Sequence, residues 1–260
     1  LIPPTLEGNV NDLSRLLKGL KQQYNLENVA VDFGVVKKLA SVLRDGDWKV
    51  TVTGLADGAV ASNDGSRRQR LINIEPGDTR KKHFSLAFDI GTTGVRGQLL
   101  DLNRGKIKAN GLDYNGQISY GEDVISRIAY CQKHGGLKKL QRAIVATING
   151  MISRMLAESG IDVEDISHMI VAGNTTMIQL FLALEPKYIR LAPYVPTIST
   201  VPPVRARSLG LEVAEHVNVQ VLPSVASYVG ADIVSGIVGT GVYQRDKLAL
   251  YVDIGTNGEM

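Results

Sequence analysis

A phrase of ten residues occurs twice in this chain. Leu86-Ala-Phe-Asp89-Ile-Gly91-Thr92-Thr93-Gly94-Val95 returns as Leu250-Tyr-Val-Asp253-Ile-Gly255-Thr256-Asn257-Gly258-Glu259, with identity at the Leu, Asp, Ile, first Gly, Thr and second Gly positions. Each copy reads as a short apolar run of strand character, an acid where the strand ends, and a Gly-Thr turn. Such a turn sets backbone N–H groups and a hydroxyl beside a carboxylate at one end of a sheet, which suits a phosphate held with a divalent cation. Two copies facing each other make a clamp for a nucleotide triphosphate. The demand on the fold is therefore strict: both bends must converge on one cleft.

Composition bounds what is built around that clamp. At 260 residues, 44% hydrophobic and 21% charged, the chain can bury a core and is expected to form more than one domain. A net charge of +3 from 29 basic and 26 acidic residues argues for neither nucleic acid nor a membrane surface as partner. The basic cluster Arg67-Arg68-Gln69-Arg70 reads as a solvated loop. The single cysteine, Cys131, excludes an intrachain disulfide or a cysteine-ligated cluster within these residues, and fits a reducing, cytoplasmic compartment. His83, His134, His168 and His216 lack metal-ligand spacing. No run approaches the roughly 18 apolar residues of a membrane span, and no signal peptide is read. The sequence begins at Leu1 and stops at Met260, just past the second turn, and reads as cut at both ends.

Two parts are expected. Residues 1–80 read as a small α/β unit, with helices over Asn11 to Tyr24 and Val35 to Arg44 and strands at Val29 to Phe33, Trp48 to Thr53 and Arg70 to Ile74. The polar stretch from Glu75 to Lys82 marks the boundary. From residue 83 to 260, strands at Ser85 to Asp89, Val95 to Asp101 and Lys106 to Leu112 read as an antiparallel meander. A helix opened by Gly121-Glu122-Asp123 follows. Another runs from Leu137 to Ser159, with Leu140, Ile144, Ile148, Met151 and Met155 on one face. Next come a strand at Met169 to Ala172, a helix to Leu184, and an irregular connection from Pro186 to Pro203. A strand at Asn218 to Leu222, a helix from Gly230 to Val238 and a terminal strand from Leu248 to Asp253 complete an order of β-β-β-α-β-α-β-α, followed by the first strand of a second copy.

That order, with an Asp-Ile-Gly-Thr turn heading each half, resembles the ASKHA superfamily of acetate and sugar kinases, large heat-shock chaperones and actin. Six motifs sharpen the resemblance: Phe88-Asp-Ile-Gly-Thr-Thr-Gly-Val-Arg96, Gly121-Glu-Asp-Val-Ile-Ser-Arg-Ile128, Ala172-Gly-Asn-Thr-Thr-Met177, Ala192-Pro-Tyr-Val-Pro196, Val229-Gly-Ala-Asp232 and Asp253-Ile-Gly-Thr-Asn-Gly-Glu259. In this order they are similar to the reductive activators of corrinoid proteins, in which an ASKHA-type (actin-like, ribonuclease H-like) ATPase follows a [2Fe-2S] ferredoxin-like domain, a linker and a small middle domain. On that resemblance, residues 83–260 are the N-terminal part of the ASKHA ATPase domain and residues 1–80 the middle domain. The implied activity is ATP hydrolysis coupled to electron transfer onto the cobalt of a partner corrinoid protein, returning Co(II) to Co(I). The implied cofactors are ATP and Mg, with the [2Fe-2S] group outside this chain. The implied partner is the corrinoid subunit of a methyltransferase or a corrinoid iron-sulfur protein. A homodimer is one state open to such a chain. These residues alone are expected neither to carry a cluster nor to bind ATP tightly.

The residues take the following expected roles. Asp89 holds the cation, directly or through water, while Gly91, Thr92 and Thr93 offer donors to phosphate; Asp253 with Gly255, Thr256 and Asn257 does the same from the other side. For either copy alone, a strand-end turn whose Asp satisfies nearby N–H groups is the plain alternative, and the duplication argues against it. Asp232, in the first turn of a helix, stands where the sugar kinases of this superfamily place a catalytic carboxylate. It either orients or deprotonates the attacking water, or simply complements a helix dipole. Asn174 or Thr175 reads as a helix N-cap, with a role lining the cleft also open. Arg96 either reaches phosphate or sits at a strand surface, and the segment from Pro186 to Pro203, with Tyr188 and Tyr194, reads as a partner-facing loop. A small-molecule kinase and a non-catalytic, nucleotide-dependent assembly protein remain as readings from other classes.

Overall fold

In the computed structural model, which describes residues 1–61 and 67–253, the chain forms two compact units that divide between His83 and Phe84. The first contains α1 (Asp12–Tyr24), β1 (Ala30–Val31), α2 (Phe33–Asp45), β2 (Val50–Ala61) and β3 (Arg67–Pro76). The ends of α1 follow from local chemistry. Ser14 N–H donates to Asn11 Oδ1 at 2.9 Å, and Asn25 stops the helix in the left-handed conformation at φ 55°. The sheet has the order β1-β3-β2, with β1 parallel and β2 antiparallel to β3. Leu16, Leu20, Val35, Leu39, Leu43, Leu71 and Ile74 form the core beside Trp48, whose ring is approached by the guanidinium groups of Arg15 (5.7 Å) and Arg44 (5.4 Å).

One expectation in this unit is corrected. The cluster Arg67-Arg68-Gln69-Arg70 opens β3 rather than lying in a loop, because the ladder with β2 runs outward past the apolar stretch and pairs Gln69 with Ala56 and Arg70 with Leu55. Backbone hydrogen bonding, which does not depend on side-chain polarity, extends the strand beyond its hydrophobic signal.

The second unit begins with the meander β4 (Phe84–Ile90), β5 (Gly94–Asp101) and β6 (Lys106–Tyr114). Asp101 shapes the β5–β6 turn: its carboxylate accepts from the N–H groups of Asn103 (3.0 Å) and Arg104 (3.2 Å). After α3 (Val124–Cys131) and α4 (Gly136–Ser159), β7 (Ile166–Gly173) pairs parallel to β4. Then come α5 (Thr175–Phe181), the two-residue β8 (Val204–Arg205), β9 (Asn218–Val221), which is parallel to β7, and α6 (Ala231–Thr240). The sheet order is β6-β5-β4-β7-β9-β8. The expected stripe on α4 is buried in full: Leu140, Ile144, Ile148, Met151 and Met155 pack on sheet residues including Phe88, Leu99 and Met169. Gly160 ends that helix with a left-handed φ of 66°.

Two further expectations change. α5 ends at Phe181 instead of continuing to Leu184. Residues 248–253 do not form a strand: only Asp253 makes an isolated bridge, and Leu248, Leu250 and Val252 are exposed. An alternating segment becomes a strand only where a neighbouring backbone supplies the ladder, and among the described residues 248–252 have none.

Ile148 is fully buried in the middle of α4. Ile148→Ala is expected to cost about 2–5 kcal/mol, read as a lower denaturant midpoint at unchanged slope. A loss below about 1 kcal/mol would show that this helix face is not the core contact described.

Candidate functional site

Parallel pairing of β4 with β7 brings two strand-to-turn junctions together. Asp89 is in register with Ala172 and Ile90 with Gly173, so the turn after β4 and the turn after β7 leave the same edge of the sheet side by side. Gly173 permits this approach. Its φ is 157°, and a Cβ there would stand 2.6 Å from the Ile90 carbonyl oxygen. A Cβ on Gly91 would likewise meet the Gly94 carbonyl at 2.6 Å, so the turn closes only with glycine.

Side-chain amides then fix the first turn from two sides. Asn174 caps α5, accepting from Met177 N–H at 2.9 Å, and its Nδ2 donates to Thr92 Oγ1 at 3.1 Å. The cap and the cleft position left open by the sequence are thus one residue. On the other side Asn115 donates twice to the turn, from its backbone N–H to the Thr93 carbonyl and from Nδ2 to the Gly91 carbonyl, both at 2.9 Å.

A third element approaches the same place. Thr175 Oγ1 donates to the Ala226 carbonyl at 2.7 Å, and a Cβ on Gly230 would stand 2.5 Å from Asn174 Cα and 2.8 Å from the Gly173 carbonyl oxygen. The start of α6 is therefore pressed against the β7 turn. Asp232 sits in the first turn of α6, where its Oδ1 accepts from Ile233 N–H at 2.9 Å. Tyr251 lies along the same helix beside Gly236, and Asp253 follows it.

The charges of Asp232 and Asp253 act on Asp89, and that of Asp253 acts on Asp232. The Asp89 carboxyl is pushed up to about 6, first by loss of hydration and then by the charges of Asp232 and Asp253, against a lowering pull from Arg96 across the β4–β5 ladder. By accessible surface Asp89 is nevertheless exposed, so the site is open to solvent. Burial also raises Asp232, and its own helix N–H pulls the other way. The Tyr251 phenol is raised by burial and by all three acids, so it stays protonated as a neutral donor. A cation nearby would relieve the repulsion that raises Asp89.

The two duplicated acids and Asp232 thus influence one another's charge, and Gly91, Thr92 and Thr93 form the turn that follows Asp89. Gly255, Thr256 and Asn257 lie outside the described residues. Arg96 is exposed on β5, opposite Asp89. In the segment from Pro186 to Pro203, Tyr188 and Tyr194 are exposed, the Ala192–Pro193 peptide is cis, and the Tyr194 ring lies 6.2 Å from that of Tyr228. Sequence reading missed Asn115 and Tyr251. The phenol was visible inside the second copy of the phrase, whereas Asn115 carries no local signal, since its role arises from the β5–β6 pairing that returns the chain to the turn.

A sheet of this order, carrying an acidic strand-end turn on its central parallel strand, places the second unit among ASKHA-like folds. A family model described as the RACo middle region matches residues 84–245, and one described as the RACo linker region matches residues 1–81. The chain belongs to this family. The corrinoid activation enzyme RamQ of Eubacterium limosum is 35% identical over 194 residues, which is 74% of this chain and 32% of RamQ. A solved structure described as a reductive activator for corrinoid, iron-sulfur protein superposes with a TM-score of 0.88 at 40% identity, over 99% of this chain and 40% of that one. The chain thus spans 32% and 40% of the lengths of these two relatives.

The raised Asp89 carboxyl sets a pH dependence. Folded, it keeps its proton to about pH 6; unfolded, it releases it near the ordinary carboxylate value of about 3.9. Between those values the folded state binds more protons, so this group's contribution is present below the lower value and is lost as pH rises through the upper one. In chelator-treated protein, Asp89→Asn is expected to raise the melting temperature at about pH 7.5, with the gain vanishing near pH 4. Calorimetry showing the same gain at both pH values would contradict the arrangement of acids described.

Proposed function

We propose that this chain is the linker and nucleotide-facing part of an ATP-dependent activator that returns a corrinoid protein from Co(II) to Co(I), using an electron from a [2Fe-2S] domain outside these 260 residues. The reading rests on the electrostatic influence of Asp232 and Asp253 on Asp89, the residue that opens the Gly91-Thr92 turn. Family membership and the names of the two relatives support the substrate class.

The residues present fit a magnesium nucleotide. Gly91 and Gly94 let backbone approach a phosphate, Thr92 and Thr93 add hydroxyls, and the three acids bring negative charge that Arg96 offsets at Asp89 and a cation would offset further. Among the described residues, no group of three or more His, Cys, Asp and Glu side chains stands close enough to enclose a metal ion. Asp89 and Asp253 would accordingly hold Mg through water and phosphate oxygens, its usual habit. When bound, the cation offsets charge on the transferring phosphoryl group. Asp232, raised by burial and held by the α6 N-terminus, is the group we assign to orient water and take its proton. Gly255, Thr256 and Asn257 complete the clamp in this reading.

Reduction of Co(II) to Co(I) takes one electron, and the donor is the reduced [2Fe-2S] group. Nucleotide binding contributes by favouring the arrangement that brings donor and cobalt together, so it must bind that arrangement more tightly than the other. A corrinoid protein is the partner, a homodimer one available assembly, and the cytoplasm the compartment.

Two experiments on the complete protein test this. Addition of ATP and a low-potential electron donor is expected to produce the Co(I) absorbance of a Co(II) corrinoid partner. An equal rate without nucleotide would overturn ATP dependence. Asp232→Asn is expected to keep nucleotide affinity and lower hydrolysis by about 10²–10⁴-fold. Unchanged turnover would remove Asp232 from the chemistry and leave it as a helix-dipole partner.

A further inference from the structure

Arg127 is fully buried, yet no carboxylate pairs with it among the described residues. Its Nε donates to the Gly121 carbonyl at 2.9 Å and its Nη1 to Gln117 Oε1 at 3.3 Å and Met177 Sδ at 3.1 Å, while Nη2 has no partner. A buried guanidinium held by neutral acceptors is costly, since its lost hydration is repaid only in part. Burial lowers its pKa to about 10, with Asp123 pulling the other way, so it remains charged at neutral pH.

Every acceptor of Nη1 leads to the phosphate turn. Gln117 is joined to Asn115, whose Oδ1 accepts from Gln117 N–H at 3.0 Å and whose Nδ2 lies 3.4 Å from Gln117 Oε1. Asn115 holds the Gly91 and Thr93 carbonyls. Met177 is joined to Asn174, which accepts its N–H and holds Thr92 Oγ1. Asn115, Gln117, Arg127 and Met177 are all fully buried. The path from Arg127 thus divides into two arms that close again on residues 91–93.

We propose that Arg127 is a positioning residue for the phosphate turn: its planar fork holds Gln117 and Met177 at a fixed spacing and so sets the two asparagines that grip Gly91, Thr92 and Thr93 from opposite sides. Planarity matters here, because one guanidinium nitrogen meets both acceptors at once while another fixes the side chain to Gly121. The inference rests on the reading of that turn as the nucleotide site, and its test is chosen to separate the two.

The test compares wild type, Arg127→Met and Arg127→Lys in the complete protein, by amide hydrogen exchange without nucleotide and by calorimetric titration with MgATP. The methionine variant is expected to melt within about 5 °C of wild type, since a chain of similar volume replaces an unpaired buried charge. Exchange is expected to quicken at the Asn115 and Met177 amides, which donate to Thr93 and Asn174, while the β4 and α4 amides stay protected. ATP affinity is expected to fall about tenfold or more, with the lysine variant in between. Unchanged exchange at those two amides in a folded variant would overturn the proposal. So would faster exchange across the whole unit with a matching loss of melting temperature, which is the mark of a structural role alone. If the methionine variant does not fold, the lysine variant decides the matter at the same two amides: faster exchange there supports the proposal and unchanged exchange overturns it. Failure of wild type to bind ATP would defeat the nucleotide reading, while the exchange result would still judge the network.

Discussion

The parallel ladder between β4 and β7 governs the second unit. Its register places Ile90 opposite Gly173, and from that one pairing two turns emerge within hydrogen-bonding distance of each other. A shift of one residue would send every β4 side chain to the opposite face and separate Asp89 from the neighbouring turn. The α4 stripe holds the register from behind, because Leu140, Ile144, Ile148, Met151 and Met155 fit a sheet face that only one alignment presents. Core packing and site geometry are therefore one constraint seen from two ends of the same strands. Gly173 and Gly230 mark where backbone passes backbone too closely for any side chain.

Against that rigid frame the site holds an electrostatic imbalance. Burial and the charges of Asp232 and Asp253 raise Asp89, burial and Asp253 raise Asp232, and Arg96 opposes the rise of Asp89 from an exposed position across the ladder. A fold stabilised for its own sake would separate three such groups or neutralise them. Unfavourable charge held in place by a well-packed core is the usual mark of a binding or catalytic centre. Tyr251 fits the same logic: among acids its phenol stays neutral and donates rather than adding a fourth negative charge.

What was legible in the sequence followed local rules. The meander, the α4 stripe and the acid near the end of β4 each carry their own periodicity or turn signal, and each appears where expected. Hydrogen bonding across the chain was not legible. Asn115 gives no local reason to serve Gly91, 24 positions earlier, and Arg127 reads in isolation as one more charge on an amphipathic helix. The Arg67-Arg68-Gln69-Arg70 cluster misled for the opposite reason: polar residues usually mark loops, but a hairpin ladder is a matter of backbone and runs on through them. The stretch from Leu248 to Val252 carries a strand pattern with no ladder among the described residues, so pattern alone overstated it.

The division of labour around the turn has an energetic logic of its own. A phosphate-binding loop must leave its N–H groups unpaired until the ligand arrives, so those groups cannot also hold the loop in shape. Its carbonyls and hydroxyls can, and these are the atoms that Asn115 and Asn174 engage: Gly91 O, Thr93 O and Thr92 Oγ1. The two amides need fixed orientations to do this, which the α5 cap supplies for Asn174 and the Gln117 N–H for Asn115. Both anchors then meet at one buried cation, whose unpaired nitrogen is the cost of tying the two arms together. A turn built this way is stiff before any ligand binds, and in the nucleotide reading proposed above that stiffness lets binding energy act on the ligand rather than on ordering the loop.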